Sequence, residues 1–210
     1  MTTRFLIVRH GQTEWNVAGR IQGHRDSPLT PAGRAQARAV AARLAGEPLV
    51  AIYSSDLGRT RDTAAPTAHA LGVTVLTDER LRERALGVFE GLTFTEAEER
   101  FPVRFARYKQ RDPHEDMETG ESLLRMRDRV EAVLRDIAGR HAGGTVLVVT
   151  HGGVLDQVHR IATGMTVEAA RTFEIENASL NHLHWTAGRL VLDHWGDVSH
   201  HAGPETPAEF

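Results

Sequence analysis

Three apolar runs along the chain each stop abruptly at a polar, reactive corner. Phe5-Leu6-Ile7-Val8 runs into Arg9-His10-Gly11. Leu49-Val50-Ala51-Ile52-Tyr53 runs into Ser54-Ser55-Asp56-Leu57-Gly58-Arg59-Thr60, and Thr145-Val146-Leu147-Val148-Val149 into Thr150-His151-Gly152-Gly153. Short continuous apolar runs bounded by turn residues predict buried strands, and Val73-Thr74-Val75-Leu76 predicts a shorter one. Between the strands apolar positions take up helical spacing. Thr30-Pro31 opens a helix with an N-cap threonine and a proline at the first helical position, and Ala37, Val40, Ala41 and Leu44 share one face until Gly46. A second helix runs from the Ser54 corner to Gly72, with Pro66 predicted to kink or divide it. Thr93 to Arg111 is helical but broken at Pro102. Gly120-Glu121-Ser122 starts the longest helix, in which Leu123, Met126, Val130, Val133, Leu134 and Ile137 recur until Gly143-Gly144, and another helix runs from Val154 to about Ala162. Leu180 to Trp185 and Leu190 to Trp195, separated by Ala187-Gly188, predict a late hairpin.

Strands alternating with helices imply an α/β fold in three layers, α/β/α, around a mostly parallel central sheet. Ligands bind such sheets beyond the carboxyl ends of the strands. Arg9 and His10, the Ser54 to Arg59 turn, and His151 all lie just after strands, so parallel pairing brings them to one edge. The length, 210 residues, fits one core, and residues 1–198 are expected to form a single domain with 199–210 as a flexible C-terminal tail.

Composition narrows the chemistry. Hydrophobic residues at 40% and charged residues at 25% describe an ordinary globular chain. A formal charge of -3 gives no general basic field for nucleic acid, and no apolar run approaches a membrane span. The first strand begins within a few residues of the N-terminus, with no leader pattern before it, so the expected location is cytoplasmic. Without cysteine, thiolate nucleophiles, thiolate metal sites and disulfides are excluded. Lys109 is the only lysine, so an anion site must rely on arginine, whose planar fork grips phosphate or carboxylate with two bonds.

Arg9 and Arg59 converging at one edge would bind a dianion, phosphate above all. Arg59 also sits in the first turn of a helix, where free backbone N–H groups favour an anion. A neutral histidine beside a phosphoryl group, its far nitrogen fixed by a hydrogen bond, can act as nucleophile, which makes His10 the candidate phosphohistidine former. His151 could donate to the phosphoryl oxygens. An acid must protonate the leaving oxygen and later activate water. A carboxylate beside a phosphate dianion and partly withdrawn from water holds its proton more tightly, and Glu83 is the candidate, although residue type alone does not separate it from Glu90 or Glu14.

Four motifs in this order, Arg9-His10-Gly11, Ser54 to Thr60 with Thr63-Ala64, Leu81-Arg82-Glu83 and Thr150-His151-Gly152-Gly153, make the chain resemble the histidine phosphatase superfamily, also called phosphoglycerate mutase-like, over roughly Phe5 to Ser179. The resemblance implies that His10 takes the phosphoryl group, that Arg9, Arg59 and His151 complete the phosphate pocket, and that Glu83 donates the proton. Asn16, Gln22, Gly23 and Gly152 match positions lining the same pocket, and Asn177-Ala178-Ser179 matches a further motif. The loop from Glu83 to Gly91, with Gly-x-x-Glu-Gly after the acid, resembles the phosphatase branch. Phe89 stands where that branch commonly has tryptophan. A phosphatase acting on a small phosphorylated metabolite without cofactor or metal is therefore expected, with a bisphosphoglycerate-dependent mutase and a phospho-ligand-binding module without turnover as rivals. The oligomeric state, monomer or homodimer, is left open.

The basic stretch Arg104 to Arg111 reads as a solvated helix face, with contact to a second negative group on the substrate as the alternative, and is left out of the site. His182, His184, His194, His200 and His201 lack carboxylates at ligand spacing and read as strand and tail residues rather than a metal site.

Overall fold

Side chains alternate across a strand, so the continuous apolar run near the N-terminus has to face two cores at once. In the computed structural model, which describes residues 1–201, it does so as strand β1 (Thr3–Arg9). Leu6 and Val8 enter one buried cluster with Val40, Leu44, Ile52, Ala64 and Ala68, while Phe5 and Ile7 enter the other with Met126, Val130, Val133, Val154 and Leu155. Each such fully buried aliphatic side chain contributes about 1.5–3 kcal/mol relative to exposure.

The elements follow in order. α1 (Glu14–Val17) and α2 (Pro31–Arg43) precede β2 (Leu49–Ser54), α3 (Gly58–Leu71) and β3 (Val75–Thr77). Then come α4 (Phe94–Arg100), α5 (Pro102–Lys109) and α6 (Leu123–Arg140), followed by β4 (Thr145–Thr150), α7 (Gly152–Thr163), β5 (Leu180–Thr186) and β6 (Arg189–Asp197). The sheet order is β3-β2-β4-β1-β5-β6. The first four strands run parallel, and the β5–β6 hairpin adds on antiparallel beside β1. Helices α2 and α3 cover one face and α6 and α7 the other, giving the expected three layers. A third, smaller cluster of Ile21, Phe89, Ala97, Phe105 and Met117 lies under the loops around α4 and α5.

Most boundaries fall near their predicted places, with Thr30 and Ser122 as N-caps and Gly72 closing α3 at φ 67°. Two differ. α3 passes through Pro66 without division, because proline removes a single backbone donor while Ala64, Thr67 and Ala68 around it stay buried. The third strand is shorter and later than Val73 to Leu76, since Val73 is exposed and its amide closes the end of α3 on Ala68. Of the expected tail, Ser199–His201 form a 3₁₀ turn, and 202–210 lie outside the described residues. No helix among the described residues is long and apolar enough to cross a membrane.

Candidate active site

Arg9 and His10 leave the tip of β1 between β4 and β5, in register with Thr150 on one side and held by Ala178 on the other. Arg9 pairs with Thr150, the His10 amide donates to the Thr150 carbonyl at 2.9 Å, and the Ala178 amide donates back to the Arg9 carbonyl at 3.0 Å. Asn177 donates its amide to the His10 carbonyl at 3.0 Å and to Asn16 Oδ1 at 3.3 Å. His10 is 3% exposed. Its Nδ1 lies 2.8 Å from the Gly11 carbonyl, which can only accept, so Nδ1 carries the proton and Nε2 keeps its lone pair.

His151 follows β4 directly and packs its ring edge-on to His10, centroids 5.3 Å apart. Its Nε2 lies 2.7 Å from Ser55 Oγ, itself bridged to Thr60 at the start of α3. Nδ1 is buried without a partner among the described residues. Ser55 donating to Nε2 puts the proton on Nδ1.

Arg59 is 1% exposed. Its Nη1 bonds Asp26 at 3.0 Å and the Arg25 carbonyl at 2.8 Å, and its Nη2 bonds the Gly23 carbonyl at 2.9 Å. Asp26 also takes the Gly58 amide at 2.5 Å and reaches the Arg59 amide at 3.4 Å. This corrects the expectation of a free helix N-terminus: the chain's own carboxylate occupies it. The Nε of Arg59 is left buried and without a partner, as is the Nε of Arg9, whose Nη1 donates to the Ile175 carbonyl at 2.7 Å.

The structure separates the three candidate carboxylates. Glu83 accepts from the Gly153 amide at 2.9 Å and the Arg84 amide at 2.7 Å. It therefore sits across Gly152 from Arg9: a Cβ on Gly152 would meet Arg9 Nε at 3.5 Å and Glu83 Oε2 at 3.9 Å. The segment carrying Glu83 is tied to β4 by Thr150 Oγ1 on the Leu81 carbonyl and to α6 by Arg129 on the Arg80 and Arg82 carbonyls. Glu90 is engaged by the His24 and Leu86 amides, and Glu14 is exposed. Gln22 is buried with Oε1 unpartnered, Gly23 takes φ 54° with Glu90 against its α-carbon, and Asn16 caps α1 through Thr13.

Asp26 and Ser55 escaped notice as contributors to the site. Asp26 reaches Arg59 across 33 positions and Ser55 reaches His151 across 96, and residue type carries no signal for such contacts. Arg104 and Arg107 of the basic stretch turn to Glu115. No group of three or more metal-ligating side chains occurs among the described residues; His184 pairs with Asp193, and His200 Nε2 lies 3.0 Å from the Ala178 carbonyl.

Burial, and then the charges of Arg9 and Arg59, hold His10 well below the ordinary histidine pKa; burial and then Arg59 do the same to His151. Below about pH 6.5 the unfolded chain binds protons that these folded histidines refuse, so their contribution is complete above about 6.5 and is lost as pH falls below it. Melting of the ligand-free protein should therefore drop on acidification from pH 7.5 to 5.5, with a shallower slope in the His10→Gln, His151→Gln double variant. Equal slopes in the two proteins would contradict this assignment.

The profile of the histidine phosphatase superfamily (branch 1) matches residues 5–198. The metal-independent phosphoserine phosphatase of Arabidopsis thaliana is 40% identical over 205 residues, covering 94% of this chain and 83% of the relative. The probable phosphoglycerate mutase GpmB of Serratia proteamaculans is 37% identical over 212 residues, covering 96% and 95%. Among solved structures, the phosphoserine phosphatase of Entamoeba histolytica in complex with 3-phosphoglyceric acid superposes with a TM-score of 0.84 at 28% identity, covering 94% of this chain and 98% of that one. The chain belongs to the histidine phosphatase superfamily, branch 1.

Proposed function

We propose that this protein hydrolyses phosphoric monoesters of small metabolites through a phosphohistidine on His10. One observation carries the reading. Three buried N–H groups, Arg9 Nε, Arg59 Nε and His151 Nδ1, lie without a partner around a neutral imidazole whose Nε2 is free. Buried donors left unpaired cost about 1–3 kcal/mol each, and a phosphoryl group bonded to all three removes that cost.

In the first step His10 Nε2 attacks phosphorus, the ester P–O bond breaks, and Glu83 gives its proton to the leaving alkoxide. In the second, water attacks phosphorus, Glu83 takes the water proton, and the N–P bond breaks to release phosphate. Arg9, Arg59 and His151 hold the phosphoryl oxygens throughout, with Gln22, Gly23, Gly152 and Asn16 shaping the pocket, and Asp26 and Ser55 keep Arg59 and His151 in place. A cavity of about 580 Å³, lined by Arg9, Glu83, Gly152 and Gly153 among others, opens beside the acid and leaves room there for the rest of the substrate.

Phosphate release from an aryl phosphate tests the reading, together with trapping of an acid-labile, alkali-stable phosphoryl label on the protein. Isomerisation of a phosphoglycerate faster than its hydrolysis would favour the mutase instead, and phosphate binding with no trapped label would favour a binding module. Glu83→Gln should lower kcat/KM, which reports formation of the phosphohistidine, by about 10²–10⁴-fold for an alkyl phosphate and by less for a nitrophenyl phosphate, whose leaving group needs no proton. Equal losses on both substrates would remove Glu83 from the acid role.

A further inference from the structure

The position of the proton on His10 depends on a carbonyl that its own residue cannot hold still. The Gly11 carbonyl accepts from His10 Nδ1 at 2.8 Å, and that bond keeps the lone pair on Nε2, the attacking atom. A neutral imidazole carries its proton on either nitrogen, so a swing of this carbonyl would let the proton move to Nε2 and block attack. Glycine resists such a swing least, because it lacks the Cβ that restrains the backbone. Helix α2 nevertheless imposes glycine here: a Cβ on Gly11 would stand 2.5 Å from the Gly33 carbonyl.

The two peptide planes that meet at Gly11 are both held by other residues. In the plane between His10 and Gly11, the His10 carbonyl accepts from Asn177 Nδ2 at 3.0 Å and from the Ala178 amide at 3.3 Å, while the Gly11 amide donates to Thr63 Oγ1 at 3.0 Å. Thr63 is fully buried, and its hydroxyl hydrogen goes to the Arg59 carbonyl at 2.7 Å, so its oxygen meets Gly11 as an acceptor. In the plane between Gly11 and Gln12, the Gln12 amide donates to Gln36 Oε1 at 2.8 Å. A peptide is planar, with its N–H and C=O on opposite sides, so holding the Gln12 N–H also sets the direction of the Gly11 carbonyl. Thr63 and Gln36 act through backbone alone; neither bonds the side chain of Arg9, Arg59, His151 or Glu83 among the described residues.

We propose that Thr63 and Gln36 are positioning residues that clamp the two peptides at Gly11 and thereby fix His10 in the tautomer able to attack phosphorus. This rests on His10 as the nucleophile of the hydrolytic reading. Losing the clamp slows formation of the phosphohistidine and spares the grip on phosphate, because the phosphate donors are held elsewhere.

Thr63→Val removes the hydroxyl at nearly constant shape, and Gln36→Leu removes the acceptor; Thr63→Ser and Gln36→Glu keep an acceptor in each place. In the Thr63→Val, Gln36→Leu double variant, kcat/KM for nitrophenyl phosphate should fall by about 10–100-fold, the range typical of outer partners that orient a functional imidazole, with affinity for inorganic phosphate weakened by no more than about threefold. Burial keeps His10 neutral near pH 7, so NMR spectra of nitrogen-labelled histidine read its tautomer directly, and His10 is picked out of the 12 histidines by its disappearance in His10→Gln. The parent and the Thr63→Ser, Gln36→Glu variant should carry the proton on Nδ1, and the Val–Leu variant should show it on Nε2 as well. Parent-like kcat/KM in that variant, or lost activity with the tautomer unchanged, overturns the clamp. If the Val–Leu variant does not fold, Gln36→Leu alone, on the half-buried side of α2, is judged by the same two readings. If the parent hydrolyses no phosphate ester, the hydrolytic reading fails separately, and the spectra still decide the clamp.

Discussion

Replacing His10 by alanine should lower kcat by about 10⁴-fold or more, because it deletes the atom that forms the covalent intermediate rather than one that assists it. The phosphate donors are held independently of His10. Arg59 is fixed by Asp26 and the Gly23 carbonyl, Arg9 by the Ile175 carbonyl, and His151 by Ser55. Affinity for inorganic phosphate should therefore change by less than about tenfold while turnover and the trapped label disappear. A kcat within tenfold of the unaltered protein would sink the phosphohistidine route. The melting temperature of the variant separates loss of chemistry from loss of fold.

Gly33→Ala, some distance along the chain from any reacting atom, should be the most damaging single-methyl change. The first turn of α2 lies against the turn after His10 so closely that a Cβ on Gly33 would occupy the Gln12 carbonyl, and one on Gly11 would stand 2.5 Å from the Gly33 carbonyl. Backbone meets backbone there, so no side chain can swing aside. The contact is further fixed by the Thr30 amide on the Gln12 carbonyl and by the Gln12 amide on Gln36. Relief requires α2 to lift off, at a cost of about 3 kcal/mol or more, which corresponds to roughly 6–12 °C of melting temperature in a chain of this size. Activity at a temperature where the variant is still folded should fall too, since shifting a reacting group by about 1 Å can cost about 10²-fold. Melting within about 2 °C of the parent would show that the two turns separate easily.

The sequence showed the strands and the corners that follow them, because fully buried parallel strands are apolar on both faces and stand out as unbroken runs. The N-caps Thr30 and Ser122 were visible for a similar reason, since capping is a contact within four residues. Contacts across the fold were not. The capture of the α3 N-terminus by Asp26 and the bond from Ser55 to His151 depend on which loop lies over which strand. The basic stretch divides in the same way. Arg104 and Arg107 turn to Glu115, whereas Lys109 and Arg111 reach the cavity, a split set by where α5 ends. Pro66 misled because a local rule about backbone donors was outweighed by the burial of its neighbours.

The place of β1 has a consequence for how the chain is made. Its neighbours on both sides, β4 and β5, come late: Phe5 pairs with Val146 and with Leu183. At about 5–20 residues per second, the most apolar segment of the N-terminal region leaves the ribosome some seven to thirty seconds before either neighbour exists. Throughout that interval it is a bare, aggregation-prone strand, and His10 is an ordinary solvated imidazole. The last third of the chain completes the sheet and shields the nucleophile together, so nascent chains released before β4 should be insoluble as well as inert.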